Sequence, residues 1–334
     1  MPAIITHDLF AKEIYGETFE TVGGSRDEAE AFLLGNQGPD PLFFAGTDPR
    51  YVAYAQVGSA LHRARPAELL LAFKQAVASL PASLRSTGRA YVLGFACHYE
   101  LDRTLHPLTF SQERALCNAG VEGLTPEDHS EVHALIETEL DELVLTEKRG
   151  ETVTTFNPAT AVLKGSDTML AAVSQLYARA VKDALDLDIP DNLFKASVKA
   201  NRRAQRLVYS PAGWKRTALG SLERLVRPHS IMGALSHRGE PRTESAFANA
   251  ERAPWQHPFI EAESTASFWD LYDQARASAL AALQALDDDA FDLEAAQALT
   301  ADLNFYGEPV VAVVVAVETV PDSASVAPEP EAEA

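Results

Sequence analysis

The sequence has little cysteine, a shortage of basic residues and no long hydrophobic run. Two cysteines, Cys97 and Cys117, are too few for a disulfide framework and fit the reduced thiols of a cytosol, so we interpret both as small core residues. Lys and Arg number 28 against 48 Asp and Glu, and the formal charge of -20 repels polyanions. General binding to nucleic acid is therefore disfavoured.

Signals for export and for membrane insertion are also missing. The opening stretch "MPAIITHDLFAKEIYGE" has no basic leader and only a short apolar run, unlike a signal peptide. The longest apolar run, "PVVAVVVAV" at 309–317, is far short of the roughly 20 residues that cross a bilayer. We therefore expect a cytoplasmic protein with no transmembrane segment.

Helical periodicity runs through most of the 334 residues. Pro66 suits the first turn of a helix, and Thr125 followed by Pro126 is a strong helix start. A central, largely apolar helix is predicted over 89–106, ending at His106 because Pro107 disfavours helical geometry in the residue before it. Further helices are expected at about 160–187, 191–208, 214–226 and 266–286, with a short extended piece at 151–156.

These patterns predict an all-α multi-helix bundle without internal repeats. An apolar fraction of 46% supports a substantial core in one large domain or two ordinary ones. The Leu-rich and Ala-rich face of 266–286 is expected to pack in that core rather than to mediate self-association. The tail at 318–334, rich in Pro, Ala and Glu, has little to bury and is predicted to be disordered.

Histidine placement is the most informative feature, because six of the nine histidines precede residue 134. Residues four apart share a helix face, so His98 lies with Asp102 and His133 with Glu137. A single pair of this kind is usually a helical ion pair. Two pairs, one of them in an apolar helix where an unpaired charge is costly, favour a bound cation. Imidazole and carboxylate together suit zinc better than calcium or magnesium.

A loop near the start can contribute a further carboxylate. The stretch "LLGNQGPDPLFF" at 33–44 predicts a buried turn around Asp40, flanked by apolar residues. Such a turn can aim Asp40 at a metal or a water, although an ordinary Asx-type turn has the same pattern.

The order of these motifs is similar to that of a known family. "THDLF", "GNQGPD", "LH" at 61–62, "GFACHYELDRTLHP" and "EVHALIETELD" follow one another within about residues 1–145. In this order they resemble the bacterial zinc-dependent phospholipase C family, which belongs with the single-strand-specific zinc nucleases to a superfamily of all-helical enzymes holding up to three zinc ions. The pattern H-x-x-x-D-x-x-x-H followed by H-x-x-x-E is its most specific part.

The resemblance implies a ligand set and a division of the chain. One zinc ion would be held by Asp40, His62, His98 and Asp102, and a second by His106, His133 and Glu137. Asp102 would bridge toward a third ion held by His7, and Asp40 would double as the general base. Secreted members bind the third ion with an N-terminal tryptophan, which this chain lacks, so two or three Zn²⁺ ions are expected. The metal-binding domain would span 1–150, with a helical region at 151–317 packing on it.

The expected activity is zinc-dependent hydrolysis of a phosphodiester by metal-activated water, on a phosphodiester or phospholipid-like small molecule. A non-catalytic metal-stabilised helical binding module and a zinc nuclease-like enzyme are the alternatives. His129 is either an outer partner of the site, an alternative ligand or a solvent-facing residue. An HD-type phosphohydrolase site at His7 and Asp8 is less favoured.

The remaining basic residues and histidines receive weaker assignments. The basic segment at 192–222 either attracts an anion, with Tyr209 or Trp214 stacking on it, or is a solvated helix face. The later histidines are assigned no metal: His229, His237 and His257.

Overall fold

A computed structural model describes residues 3–120, 124–215, 217 and 231–310. Helices dominate these residues, which confirms the all-α prediction. The α-helices are α1 (Ile4–Val22), α2 (Arg26–Gly35), α3 (Val57–Arg63), α4 (Pro66–Ala76), α5 (Arg85–Asn118), α6 (His129–Arg149), α7 (Pro158–Ala161), α8 (Asp167–Leu185), α9 (Leu193–Val208), α10 (Ile231–Ala234), α11 (Phe268–Asp287) and α12 (Leu293–Thr300).

Shorter elements connect these helices. A two-stranded antiparallel sheet pairs β1 (Trp255–Gln256) with β2 (Glu263–Ser264). The 3-10 helices are Asp40–Thr47, Pro49–Tyr54, Val77–Ser79, Ala82–Leu84, Pro126–Asp128 and Ala246–Ala248. In the part of the chain that is described, no helix has both the length and the apolar character to cross a membrane.

The central element is α5, in which every residue from 90 to 102 is buried. Helices α2 and α11 make their largest contacts with it, and the buried face of α11 includes Phe268, Tyr272 and Leu283. The expected packing of 266–286 in the core is therefore observed. Cys97 and Cys117, both on α5, are buried and unpaired, as interpreted from the sequence.

The predicted end of the central helix at His106 is wrong, because α5 continues through Pro107 to Asn118. Proline inside a helix removes one N–H group and crowds the carbonyl four residues earlier, at a cost of roughly 3 kcal/mol. Leu108 and Cys117 beyond it are buried, and this burial stabilises the continued helix. His106 therefore stays in helical register with the earlier part of α5.

A glycine from the far end of the chain packs against the irregular turn of α5. A Cβ on Gly307 would lie 2.7 Å from the carbonyl oxygen of Arg103 and 2.7 Å from Cγ of Pro107. Gly307 also has a φ of +72°, which favours glycine. Only glycine fits at this position. The close packing of the chain against the turn of α5 that contains Pro107 therefore depends on Gly307.

Helices α2 and α5 approach until their backbones touch. A Cβ on Gly94 would lie 2.1 Å from the carbonyl oxygen of Phe32, and one on Gly35 would lie 2.2 Å from that of Tyr91. Because α2 ends at Gly35, this contact sets where the following turn, with Asp40, meets α5.

Most other helices agree with their predicted ranges, and some details differ. The predicted helix at 160–187 is broken into α7 and α8 by a bend at 162–166, and 191–208 corresponds to α9. Thr125 caps a 3-10 turn that leads directly into α6. The extended piece expected at 151–156 is wrong, because the amide of Phe156 donates back to the carbonyl of Thr152 and closes a turn. Most of the predicted helix at 214–226 and the whole tail at 318–334 lie outside the described residues.

We predict that Gly94→Ala destabilises the protein by about 2–3 kcal/mol, because the two backbones must separate to admit a methyl group. Gly16→Ala, in α1, has no atom within 4 Å of the added Cβ and should instead increase the free energy of unfolding by about 0.5–1 kcal/mol. Denaturant unfolding of both variants measures the difference, and equal stabilities would contradict the close approach of α2 and α5.

Candidate metal centre

Four buried side chains from three regions of the chain meet beside the middle of α5: Asp40, His62, His98 and Asp102, here called the four-residue cluster. Each offers one ligand atom, and these atoms lie within 4.8 Å of one another. Nε2 of His62 is 3.1 Å from Oδ1 of Asp40 and 3.6 Å from Oδ2 of Asp102. Nε2 of His98 is 3.1 Å from the same Asp102 oxygen.

A second group, the three-residue cluster, consists of His106, His133 and Glu137. Nε2 of His133 lies 3.2 Å from Oε1 of Glu137, and Nε2 of His106 lies 3.5 Å from that oxygen. His133 and Glu137 share a face of α6, and His106 reaches them from α5. Both groupings are those that the family resemblance implied.

His7 joins neither cluster but contacts the first one. Its Nε2 is 3.1 Å from Oδ1 of Asp102, and its ring stacks on that of His98 with centroids 4.4 Å apart. Asp102 thus turns one oxygen to His7 and the other to the four-residue cluster. This arrangement suits the bridging role that the resemblance implied, and the third ion itself stays a prediction.

The histidines of both clusters are oriented in the same way. Nδ1 of His62, His98 and His106 lies 2.7, 3.1 and 2.8 Å from the carbonyl oxygens of Gly58, Asn36 and Phe305, respectively. Nδ1 of His133 lies 2.8 Å from a carboxylate oxygen of Glu113. Because these oxygens only accept, Nδ1 carries a proton, and Nε2 is the nitrogen that faces the cluster and can bind a metal in the neutral ring. Metal-binding histidines characteristically use their second nitrogen in this way.

The turn predicted around Asp40 is held in place by contacts with His98 and with Tyr177. Gly38 has a φ of +48°, and a Cβ there would lie 2.1 Å from the ring of His98. Its carbonyl accepts a hydrogen bond of 2.8 Å from the hydroxyl of Tyr177 on α8. The turn therefore packs closely against His98. Asp40, the first residue of the 3-10 helix that follows, is buried in the cluster.

The ligand atoms of the four-residue cluster are arranged better for binding a cation than for hydrogen bonding to one another. Within the described chain, Oδ1 of Asp40 and Nε2 of His98 are buried and have no partner in hydrogen-bonding geometry, although each has a neighbour 3.1 Å away. Ligands about 2.0–2.1 Å from a tetrahedral zinc ion lie about 3.3 Å apart and point at a common centre rather than at each other. The residues present therefore fit a metal ion.

Burial and ion pairing determine the charges of the clusters. Burial lowers the pKa of His98. Burial also opposes protonation of His62, but the neighbouring carboxylates of Asp102 and Asp40 raise its pKa to about 9. Burial acts against His133 likewise, and Glu137 and Glu113 raise its pKa to about 9. Burial disfavours the charged form of Asp102, but His98 and His106 hold its pKa well below its usual range.

The loop at 303–310 connects the two clusters and was missed by the sequence analysis. The amide of Phe305 donates to the carbonyl of His62, and its own carbonyl accepts from His106. The ring of Phe305 is fully buried between His98 and Tyr99. The next residue, Tyr306, stacks on His62 with centroids 5.6 Å apart and an interplanar angle of 16°. No local pattern marks these residues, because their contact is made mainly through the backbone and from 199 positions away.

A cleft of about 760 Å³ opens onto both clusters. His62, His106 and His133 form part of its wall. Exposed Arg63 and Arg114 lie at its edge, and its aromatic residues are Phe43, Phe110, Phe259 and Tyr306. Leu235, Phe259 and Tyr306 come from the second half of the chain, which therefore helps to build the cleft. The arrangement offers cationic, aromatic and metal-binding groups in one space.

The weaker candidates lie outside the two clusters. Asp8 is paired with Lys12, so it offers no support for an HD-type site. Nε2 of His237 is 3.0 Å from a buried oxygen of Asp141, and His257 accepts a hydrogen bond from the amide of Phe259. His229 lies outside the described residues. His129 lines the cleft and contacts Glu113, a carboxylate that the sequence analysis did not single out.

The basic segment at 192–222 does not line the cleft as far as it is described. Lys195 and Lys199 approach Asp167, and the guanidinium of Arg202 donates to the carbonyl of Leu163. The hydroxyl of Tyr209 donates to a carbonyl, while Trp214 is exposed. These contacts favour the solvated helix face over an anion site that serves the clusters.

No family model, curated protein or solved structure matches this chain. The buried Asp and His clusters could hold a metal ion, while the phospholipase C resemblance rests on the motifs alone.

We predict that the purified full chain binds zinc and that His98→Ala and His133→Ala each remove about one equivalent. His257→Ala is the matched control and should retain the wild-type content, because His257 lies outside both clusters. Metal analysis after chelation and reloading measures the stoichiometry. Zinc at about 100 times its Kd should also stabilise the fold by about 2.7 kcal/mol, seen as a higher Tm. Equal loss in all three variants would contradict the ligand assignment.

We predict that pH affects the metal-free protein and zinc binding in opposite directions. Folding raises the pKa of His62 and of His133 from 6.5 to about 9. Their ion pairs therefore stabilise the metal-free fold fully below pH 6.5, and this contribution is lost as the pH rises toward 9. Zinc needs the neutral imidazoles, so its affinity should rise over that window, with protons released at pH 7. Calorimetric heats that do not depend on the ionisation enthalpy of the buffer would contradict this.

Proposed function

We propose that this protein is a zinc-dependent phosphodiester hydrolase, similar in chemistry to the zinc-dependent phospholipases C. The observation that carries the proposal is the opening of two imidazole-carboxylate clusters into one cleft with arginines at its edge. Imidazole with carboxylate suits zinc, and the two arginines, which line the cleft together with Glu113 and Glu308, can bind an anionic ester.

The two clusters suit different tasks. Structural zinc sites are closed by four protein ligands, whereas catalytic sites keep three protein ligands and one open position. Asp40, His62, His98 and Asp102 form a buried set of four. The set formed by His106, His133 and Glu137 has three members, of which His133 is partly exposed and lines the cleft. The three-residue cluster is therefore the better candidate for contact with substrate.

Bound zinc would supply Lewis acidity, which lowers the pKa of water and offsets charge on phosphoryl oxygens. The chain itself supplies orientation and proton transfer. Asp40 is the candidate acceptor for a proton from the attacking water, because its Oδ1 lies 3.1 Å from Nε2 of His62, which lines the cleft. Arg63 and Arg114 would bind the non-bridging oxygens of the ester.

The cleft favours an ester with a flat or apolar group. Tyr306 and Phe110 pack edge to face with centroids 5.3 Å apart, and Phe259 adds a third ring. Such surfaces accept an acyl, choline or base moiety through burial and stacking. The formal charge of -20 disfavours long nucleic acids, which places the nuclease-like alternative behind a small phosphodiester.

We predict that zinc-loaded protein hydrolyses bis(p-nitrophenyl) phosphate and that Asp40→Asn lowers kcat/KM by about 100-fold or more, because the proton acceptor is lost. Asp8→Asn is the matched control: Asp8 is another buried aspartate, but it pairs with Lys12 and belongs to neither cluster. Zinc content is measured on the same samples, since Asp40 is also a candidate ligand.

A screen of phospholipid, small diester and oligonucleotide substrates separates the alternatives. Bound zinc with no turnover of any ester by the wild-type protein would instead support a metal-stabilised binding module. The closed geometry of the four-residue cluster is the observation that favours that second function. Turnover of oligonucleotides alone would favour the nuclease-like enzyme.

A further inference from the structure

Glu113 holds two imidazoles that come from successive turns of α6. It lies on α5 seven residues beyond His106, which places both on one face of that helix. Its side chain is 7% exposed, with Oε1 2.7 Å from Nδ1 of His129 and Oε2 2.8 Å from Nδ1 of His133. An ionised carboxylate only accepts, so both imidazoles carry a proton on Nδ1.

The two imidazoles then differ in what their second nitrogen meets. Nε2 of His133 faces Glu137 in the three-residue cluster, and the side chain is 16% exposed. The side chain of His129 is 46% exposed and lines the cleft, and its Nε2 forms no hydrogen bond to the described residues. Four histidines line the cleft there, and His129 is the one that belongs to neither cluster.

The position of His129 relative to the three-residue cluster follows from helix geometry. His129 precedes His133 by one turn of α6, so their Cβ atoms are about 5–6 Å apart. An ester bound at the three-residue cluster therefore has its leaving group within reach of the cleft-facing imidazole. Arg114, whose guanidinium lies 5.2 Å from the centroid of the Phe259 ring, borders the same space.

We propose that His129 is the general acid that protonates the leaving oxygen of the ester, with Glu113 as its positioning residue. This inference rests on the proposed phosphodiesterase function. The oxygen of water forms a bond to phosphorus, and the bond from phosphorus to the leaving oxygen breaks. Asp40 takes a proton from the water. The imidazolium form of His129, which holds one proton on Nδ1 against Glu113 and a second on Nε2, gives the Nε2 proton to the departing oxygen. The products are a monoester and an alcohol or phenol, and His129 is left neutral with its proton on Nδ1. Histidine is the commonest residue for such transfers, which contribute roughly 10²–10⁴-fold to the rate.

The test compares two leaving groups in otherwise identical esters, ethyl p-nitrophenyl phosphate and ethyl phenyl phosphate. The p-nitrophenolate ion leaves readily without a proton, whereas phenolate is more basic and benefits from one. We expect His129→Gln to lower kcat/KM for the phenyl ester by about 100-fold and for the p-nitrophenyl ester by less than about fivefold. His257→Gln, the same change at a histidine that belongs to neither cluster and does not line the cleft, is the matched control and should change neither value.

A second measurement does not depend on activity. Long-range ¹H–¹⁵N spectra of the labelled full chain report which nitrogen of each neutral imidazole carries the proton. We expect His129 to be protonated on Nδ1 and to lose this preference in Glu113→Gln. A neutral His129 that carries its single proton on Nε2 in the wild-type protein would overturn the proposal, because Glu113 would then not hold the ring through Nδ1–H.

The outcomes for the two proposals are distinguishable. Loss of both activities by the same factor in His129→Gln, or no loss, would overturn the role of His129 while wild-type turnover still supports the phosphodiesterase. A wild-type protein that binds zinc and hydrolyses neither ester would overturn both.

Discussion

Asp102 is a buried carboxylate with four histidines around it, and the arrangement of the candidate site depends on it. Ring nitrogens of His7, His98, His62 and His106 lie 3.1, 3.1, 3.6 and 3.7 Å from its oxygens. A buried carboxylate is costly unless it is paired, so α1, α3 and α5 must all approach this point. In the metal-free protein the histidines pair with it, and a cation can take over the same oxygens.

Hydrogen bonds to Nδ1 of the histidines fix the direction in which each ring presents its Nε2. Main-chain carbonyls of Asn36, Gly58 and Phe305 engage Nδ1 of three rings, and Glu113 engages that of His133. These contacts turn every Nε2 inward. The loop at 303–310 is central here, because the backbone of one residue, Phe305, bonds through its N–H to His62 on α3 and through its C=O to His106 on α5. A function that requires a precise coordination geometry would therefore depend on residues far from the recognised motifs.

The helical class, the shared face of His98 and Asp102 and the buried turn at Asp40 could all be predicted, since each depends on local spacing or local turn residues. Glu113 could also have been found, because it lies two helical turns beyond His106. The role of Phe305 could not have been predicted, because its contact with His106 is made through the backbone and from a distant part of the chain. The error at Pro107 has the opposite cause: a local rule was overridden by burial of the residues beyond it and by the fit of Gly307.

The sequence by itself determined which side chains share a helix face and which ones have the chemistry to bind a metal, because helical periodicity acts within a few residues. Only the tertiary structure decided that the ligand atoms fall into a buried group of four and a group of three beside a cleft. It also decided that His129 contacts Glu113 and lines that cleft. Such groupings depend on how separate helices pack, through contacts such as that of Gly35 with Gly94, and helix packing is set by the whole core rather than by any one segment.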